Sequence, residues 1–600
     1  MQIFYPIVRS NHFIPVFYMK KLILIFILSQ IFFAIDLSAQ NTSYPLYNEQ
    51  AYNIVDRFDV LYGNKYHLHT DQKGYIRKDV VKFIMDADSS HQLSARDKED
   101  VKYILTDNPD YIRHNPDDDE VTTLTGKRVS EYVSQDTLAK SHSFFGQFYR
   151  RPADLWFLDT KYFDLRISPI LNFQIGKDTK GTDGIIFANS RGITLQGSID
   201  DRIFFYSDLL ETQARYPTFV SDYVKKYGAV PGTSFYKNYQ SGIFKINDGY
   251  DFTTAQAYIG FNVTKHVNVQ FGHGQHFLGD GIRSLFLSNF SGNYFFMRLN
   301  TNVWKFQYQN IFAELNASNA ASANNDIVAK KYITMHHLSY SVTPNFTLGL
   351  FEGIVFQRNQ QFELQYLNPV ILYRVVEYGL GSPDNIVLGL NSKWNIKNRF
   401  SLYGQFLLDE FVFKELITDN KGWWGNKYSL QLGAKYMNVF NVDHLDAQVE
   451  YNVVRPYTYT HFDSLTNYSH NSQPLAHPSG ANFQEYIFRL HYQPTYRLTI
   501  EGRIMTANVG EDTADKNYGN NILLNYNTRL AEYGNYVGQG VHANITTISL
   551  DASWQLYHNM FLNFQTYARK KSSDDPTRDQ STFYVGGGLR VNFATLRPQF

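Results

Sequence analysis

The sequence predicts an all-β transmembrane fold, an antiparallel outer-membrane β-barrel of about 18 strands with a small N-terminal helical segment. Three observations predict it. From Phe163 onward apolar and polar residues alternate with a period of two over segments long enough to cross a membrane. The connections between those segments alternate between short turns and long polar stretches. Aromatic residues make up 16% of the chain, with 45 Tyr and 47 Phe, a supply that suits girdles at two membrane interfaces.

Taken in order, residues 1–39 read as a signal peptide, with Met19 as an alternative start. Lys20 and Lys21 form a positive n-region, Leu22 to Ile35 an apolar run of about 14 residues, and Leu37-Ser38-Ala39 the small residues before a cut. Such a run falls short of the roughly 18 residues a membrane helix needs. Residues 40–160 read as a helical segment, periplasmic or barrel-associated. Tyr75 to Met85 spaces its apolar residues helically, and Ser94-x-x-Asp97 resembles a capping box that opens a second helix running to a stop before Pro109. Acidic Asp117 to Glu120 reads as a solvated loop.

Residues 161–600 read as the barrel. In the first strand Phe163, Leu165, Ile167, Leu171, Phe173 and Ile175 share one face, and Asp164, Arg166, Ser168, Asn172 and Gln174 the other. The last strand repeats the pattern through Phe583, Val585, Leu589, Val591 and Phe593 and is followed by a C-terminal Phe600 of the kind such barrels often carry. Short turns are expected near Asp200, Lys265, Pro344, Lys397, Asn441, Gln493-Pro494-Thr495 and Asn559. Long loops are expected around 215–251, 276–292, 315–330, 357–383, 457–484 and 509–544. An even strand count puts both termini in the periplasm.

Composition narrows the function. The 43% hydrophobic content and mean hydropathy of −0.36 leave no room for a bundle of membrane helices. A formal net charge of zero gives no electrostatic reason to expect nucleic acid. With Cys at 0, disulfides, thiol catalysis and thiolate metal sites are excluded. Asp164, Arg166, Glu450, Arg489, Glu501, Asp551 and Arg590 fall on the lumen face, where opposite charges pair across strands. Asp409-Glu410 is the most suggestive carboxylate pair, but neighbours in a strand point to opposite faces and share a site only at a bulge. His273-x-x-His276 and His336-His337 do not share a strand face either, and no metal or cofactor is expected. Gly586-Gly587-Gly588 and Gly379-x-Gly381 lack the strand-to-helix setting of a phosphate loop.

At the level of whole segments the chain resembles a known group. GHGQHFLGDGIRSLFLSN (272–289), ELQYLNPVILYRVVEYGLGSPDN (363–385), LYGQFLLDEF (402–411) and VEYNVVRPYTYTH (449–461) look like RemB-type gliding motility proteins of Bacteroidetes, relatives of the capsule-assembly Wzi family. FYRRPADLWFLDTKYFDLRISPILNF (148–173) resembles their entry to the first strand. The Wzi resemblance implies an 18-stranded barrel with a helical region, acting as a surface lectin that retains capsular polysaccharide. The RemB resemblance implies a mobile surface component linked to gliding. Both imply binding and no catalysis. The partners expected are outer-membrane lipid, surface or capsular polysaccharide, and periplasmic or gliding-machinery proteins.

A glycan-binding face calls for exposed rings that stack on sugar C–H groups beside hydrogen-bonding side chains. Trp423, Trp424, Tyr457 and Tyr459 with Arg455 are the candidates in outer positions, and the competing reading places them in the aromatic girdle. Within the shared motifs Asp280, Arg283, Asn368, Tyr373, Arg374 and Glu377 are the candidate polar residues, for which pinning long loops over the lumen is the stronger reading. The alternative function is a diffusion porin for small polar solutes. An outer-membrane enzyme lacks a convincing nucleophile and base, and a 22-stranded transporter with its plug normally needs a longer chain.

Overall fold

The computed structural model describes residues 42–114, 121–123, 144–200, 202–242, 245–318, 328–359, 361–410, 412, 414–415 and 421–600. The expected signal peptide and the acidic loop at 117–120 lie outside these residues. Among them no helix is long and apolar enough to cross a membrane.

Eighteen antiparallel strands close into a barrel, the architecture the sequence predicts. They are β1 (Phe163–Asp178), β2 (Ile185–Ile199), β3 (Ile203–Arg215), β4 (Ile246–Asn262), β5 (Val267–Gly274) and β6 (Tyr294–Val303). Next come β7 (Phe306–Asn316), β8 (Lys330–Thr343), β9 (Phe346–Phe356), β10 (Asn385–Ile396), β11 (Phe400–Glu410) and β12 (Lys427–Tyr436). The last six are β13 (Leu445–Val454), β14 (Phe483–Thr495), β15 (Leu498–Glu511), β16 (Val541–Tyr557), β17 (Met560–Ser573) and β18 (Gln580–Val591). Two short strands, Trp156–Asp159 and Lys237–Ser241, pair with β1 and β4. The seam joins β18 to β1, from Tyr584↔Asp178 to Val591↔Leu171.

Period-two alternation becomes geometry in these strands. Leu171, Phe173 and Ile175 of β1 face outward and are exposed, whereas the intervening Asn172 is buried in the lumen. A row of Trp304, Phe306, Tyr340, Phe400, Tyr436 and Trp554 rings the short-turn end, with Phe306 stacked on Tyr340 and Phe400 on Tyr436. Inside, large rings lie over glycines. A Cβ on Gly433 would come within 2.0 Å of the Tyr403 ring, and one on Gly176 within 2.5 Å of Tyr584, so glycine here makes room for a lumen tyrosine on the next strand.

Three inserts fill the lumen. The first is a helical unit of α1 (Glu49–Tyr62), α2 (Arg77–Ser90) and α3 (Ala95–Asp107). Its own core is dry: Phe58, Val80, Ile84, Val101, Ile104 and Leu105 are fully buried together. Ser94 caps α3 as expected, its Oγ accepting from the Asp97 N–H at 3.1 Å. The polar outer surface of the unit meets lumen side chains. Asp59 accepts from Lys393 of β10 at 2.8 Å, Asp56 from Lys435 of β12 at 2.7 Å, and Gln72 bonds His337 of β8 at 2.8 Å. Asp107, at the end of α3, holds Arg77 at 3.1 Å and His558 of the β16–β17 turn at 3.3 Å, while its carbonyl accepts from Arg166 of β1.

The second insert is the loop 275–293, which descends from the long-loop end. It meets the helical unit head on: Gly279 N–H donates to the Asp71 carbonyl at 2.7 Å and Lys73 N–H to the Phe277 carbonyl at 3.0 Å. The third is the tail: the last strand, expected to run to Phe593, stops at Val591, and residues 592–600 turn back up the lumen. Arg597 there reaches Glu49 of α1 and Asp551 of β16, and the Phe600 ring packs on Phe219 and Phe290 among the long loops. Phe600 thus lies inside the barrel near the long loops.

Candidate functional site

Two regions concentrate the residues singled out from the sequence. The first is the lumen core. Arg283, in the descending loop, forms a two-pronged pair with Glu485 of β14 (3.1 and 3.3 Å), and Glu485 also contacts His477 at 2.8 Å. Backbone N–H groups of Ile282 and Arg283 donate to Glu450 of β13 at 2.7 and 3.0 Å. Asp280 accepts from the Thr70 hydroxyl of the helical unit at 2.7 Å and lies 3.6 Å from Lys393. Asp280 and Arg283 therefore pin a loop inside the lumen. The cross-strand pairing expected of the lumen charges is present between Arg489 and Glu501 at 2.7 Å.

The second region is a cap of loops over the long-loop end, from 421–426, 455–482 and 512–540. Arg455 donates to the carbonyls of Asn426 and Trp423, tying the second loop to the first. Trp424 is largely buried; its indole N–H donates to Glu532 at 2.8 Å and the Arg529 guanidinium covers its ring at 4.1 Å. Tyr457 and Tyr459 were expected in the open but are 0% and 1% exposed. Both take positive φ, 65° and 71°, which folds this loop inward. Tyr457 then donates to the Asn517 carbonyl, while Tyr459 stacks on Tyr468 and donates to the Leu285 carbonyl at 2.8 Å. Neither ring is free to stack on a ligand; both knit the cap to the loop below. Burial carries His461 down to about 4, so a neutral imidazole faces the Thr466 hydroxyl at 2.6 Å. The exposed rings of the cap are Phe462, Tyr533 and Tyr536, with Trp423, Tyr518 and Tyr526 half-buried, and of these sequence reasoning marked Trp423 alone. Their signal was present in the aromatic-rich stretch 518–536 but is indistinguishable from a girdle without loop geometry.

Asn368, Tyr373, Arg374 and Glu377 do not pin a loop over the lumen. They lie in a segment on the outer wall of the barrel, for which β7, β8 and β9 supply the contacts. The Asp409-Glu410 pair does come together on one group: a register shift between Leu408 and Glu410 lets both carboxylates approach Lys427, at 3.2 and 3.5 Å. His336 and His337 point to opposite faces, His337 to the lumen and His336 outward against Tyr373.

Among the described residues one group offers ligand atoms close enough to hold a metal: Asp97, Asp100 and His444. Its charge is already met by Arg57, which is 3.3 Å from Asp97 and bonds both oxygens of Asp446 at 2.7 Å. Burial opposes a charged His444, but hydrogen bonds to Asp100 and Asp443 outweigh it and carry the imidazole up to about 9. The arrangement is an ionic clasp between the helical unit and the β12–β13 turn.

Between the cap, the tail and the wall lies a cavity of about 350 Å³, walled by Phe219, Phe290, Tyr567, Tyr584, Leu596 and Phe600. The geometry as a whole is a plugged barrel under a cross-tied cap that carries several exposed aromatic rings.

Comparison with known proteins agrees with that geometry. The family model described as capsule assembly protein Wzi matches residues 140–583. A solved structure from Escherichia coli, described as Wzi, an outer membrane protein involved in group 1 capsule assembly and a carbohydrate-binding β-barrel, superposes with a TM-score of 0.55 at 12% identity, covering 93% of this chain and all (100%) of that one. OprD of Pseudomonas aeruginosa gives 0.39 at 12% identity, over 71% of this chain and 95% of its own. OccAB2 of Acinetobacter baumannii gives 0.39 at 9% identity, over 72% and 99%. Among curated proteins none matches the sequence.

Proposed function

The chain belongs to the Wzi capsule-assembly family, and we propose that it is a non-catalytic outer-membrane barrel whose long-loop cap binds surface or capsular polysaccharide and holds it at the cell. Short turns of bacterial barrels face the periplasm and long loops the exterior, which puts the cap outside. The helical unit then occupies the periplasmic end of the lumen, within reach of periplasmic partners.

The observation that carries the reading is the combination of a blocked lumen and a braced platform. Helical unit, descending loop and tail meet inside the barrel, which argues against the porin alternative. The cap is cross-tied by Arg455, Tyr457, Tyr459 and the Trp424–Glu532 pair. A rigid platform loses little entropy on binding an extended polymer. Phe462, Tyr533 and Tyr536 supply exposed rings beside half-buried Trp423, with Trp424, Arg455, Tyr457 and Tyr459 as the framework beneath. A role in gliding rests on the RemB resemblance alone.

The test compares a deletion strain complemented with the wild-type chain or with Trp423→Ala/Tyr536→Ala. Polysaccharide released to the medium and retained on cells is measured with total synthesis. Retention is expected to fall at unchanged synthesis, and purified protein to bind the polysaccharide several-fold more weakly for each ring lost, about 1 kcal/mol apiece. Unchanged retention with altered permeability or spreading would replace this reading with a pore or gliding role.

A further inference from the structure

Residues 361–384 connect β9 to β10, and their path differs from those of the cap and the descending loop. Instead of covering the lumen they run down the outward face of the wall and climb back. At the deepest point the Pro369 carbonyl accepts from the Tyr308 hydroxyl at 2.6 Å and from the Asn310 side chain at 3.1 Å, both on β7. Tyr308 lies two residues along β7 from Phe306, a member of the aromatic row at the short-turn end. The tip therefore lies ~15–20 Å below the loop rim, given the rise and tilt of barrel strands, inside an apolar band about 25 Å tall. The return limb is a short helix, α4 (Tyr373–Leu380).

Most side chains sort across this segment by chemistry, with Gln365, Asn368 and Arg374 the exposed polar residues between Leu364 and Leu380. Toward the wall, Tyr366, Tyr373 and Val376 pack with Tyr332, Ile354, Phe356 and Ile386, the outward residues of β8, β9 and β10. The first two N–H groups of α4, at Tyr373 and Arg374, donate to the Glu352 carboxylate of β9 at 2.9 and 3.1 Å. An acid from the barrel wall thus caps the helix and offsets its dipole. Away from the wall, Leu364, Val370, Leu372, Val375 and Tyr378 stand in the open, Val370 at 80% and Tyr378 at 88% exposure. Between Leu364 and Leu380 the one exposed charge is Arg374, and it is paired with Glu377 one turn on.

In water this display of large apolar side chains is unfavourable; in hydrocarbon it is what a segment needs, provided its backbone polar groups are met by protein. Here the Tyr373 and Arg374 N–H groups and the Pro369 carbonyl turn to the wall and find Glu352, Tyr308 and Asn310, while the Val370 N–H is met within the segment by the Asn368 side chain. The open side chains also continue the lipid-facing belt of the barrel, where Leu350, Leu388 and Leu390 are exposed on the neighbouring strands. We propose that residues 361–384 form a re-entrant segment embedded in the membrane, with lipid acyl chains as the occupant of their outward face and Glu352 as the latch on their inward one. This inference does not depend on the carbohydrate reading.

A chain with Cys at 0 permits a direct test. Full-length Val370→Cys and Tyr378→Cys proteins, spin-labelled and reconstituted in phosphatidylcholine vesicles, are compared with Leu350→Cys on the bare wall and Asn527→Cys in the cap. Folding of each is checked by heat-modifiable gel mobility. Power saturation with oxygen and with a water-soluble nickel chelate reads the depth of each label. The expected result is that labels at 370 and 378 match the one at 350, open to oxygen and at least several-fold less accessible to nickel than the one at 527. Nickel accessibility equal to that at 527 would place the segment in water and overturn the proposal. Shielding from both reagents with dipolar broadening between labels would overturn it in favour of a second copy of the chain.

Discussion

Arg57→Ala isolates the clasp that seats the helical unit in the barrel. The guanidinium is 4% exposed, bonds both oxygens of Asp446, and lies within 3.3 Å of Asp97. Its loss takes the arginine from buried Asp97 and half-buried Asp446, which keep only neutral hydrogen-bond donors and His444, and breaking a buried pair from one side costs about 3–5 kcal/mol. Protonated His444, 3.7 Å from Asp97, supplies partial compensation, so the lower figure of about 3 kcal/mol applies. At about 1.4 kcal/mol per decade, the docked-to-undocked ratio falls ~100-fold. The wall itself is held by ladder hydrogen bonds the substitution does not touch, so the loss appears as local release. Native-state hydrogen exchange should show amides of α1 and α3, at Phe58, Val101 and Ile104, exchanging ~100-fold faster, while amides of β14 and β15 are unchanged. Arg57→Ala/Asp446→Ala should recover part of the loss, since one stranded carboxylate is gone. Exchange within threefold of wild type, or strictly additive effects of the two substitutions, would refute the clasp.

Neighbouring features give further expected outcomes. His444, raised to about 9, contributes docking stability that is fully present below ~6.5 and is lost as pH rises through about 9, a change of roughly 3 kcal/mol. Asp443, held down to about 2 by its hydrogen bond with His444, contributes above about 3.8 and loses that contribution as pH falls through 2. Protection of the helix amides, after correction for the intrinsic pH dependence of exchange, should therefore be greatest between about 3.8 and 6.5 and fall as pH rises through about 9, and protection flat to pH 10 would contradict this. Arg283→Met leaves Glu485 with His477 and Asn452 alone and should loosen the descending loop by about 2–4 kcal/mol, read as protease cleavage within 275–293; equal resistance would count against the pair. Deleting residues 594–600 removes Arg597 and Phe600, and planar-bilayer conductance should rise while the barrel still folds. Unchanged conductance would mean the tail adds nothing to the seal.

Much of the barrel was legible because a period-two pattern long enough to span a membrane fits few folds besides a barrel. Strand number, the short turns and the long loops all followed from it, with boundaries off by a residue or two: the chain turns at Tyr496–Arg497, just past the expected Gln493-Pro494-Thr495. Two helices were legible from apolar spacing and the Ser94 cap. α1 was missed although Ala51, Ile54, Val55 and Phe58 carry the same spacing. What fills the lumen was not legible, because a loop that folds inward and one that lies outside can have the same composition. Tyr457 illustrates the limit: aromatic residues beside an arginine in a long loop describe a ligand platform and a loop brace equally well. Asn368 to Glu377 illustrates another, since an apolar helix on a barrel's outer wall has the sequence signature of one inside it.

The position of Asp107 bears on how the chain reaches this state. Closing the barrel joins β18 to β1, the pairing with the greatest separation along the chain and so the largest loss of chain freedom before any contact forms. Asp107 and its carbonyl reach across that seam, from Arg166 on β1 to His558 in the β16–β17 turn beyond β18. A helical unit already seated would bring the two edges together like a splint, turning a search across the whole chain into one between neighbours. If the seated unit helps closure in this way, a chain lacking residues 42–111 should acquire its heat-resistant compact form more slowly than the intact one, equal rates meaning that the seam closes unaided.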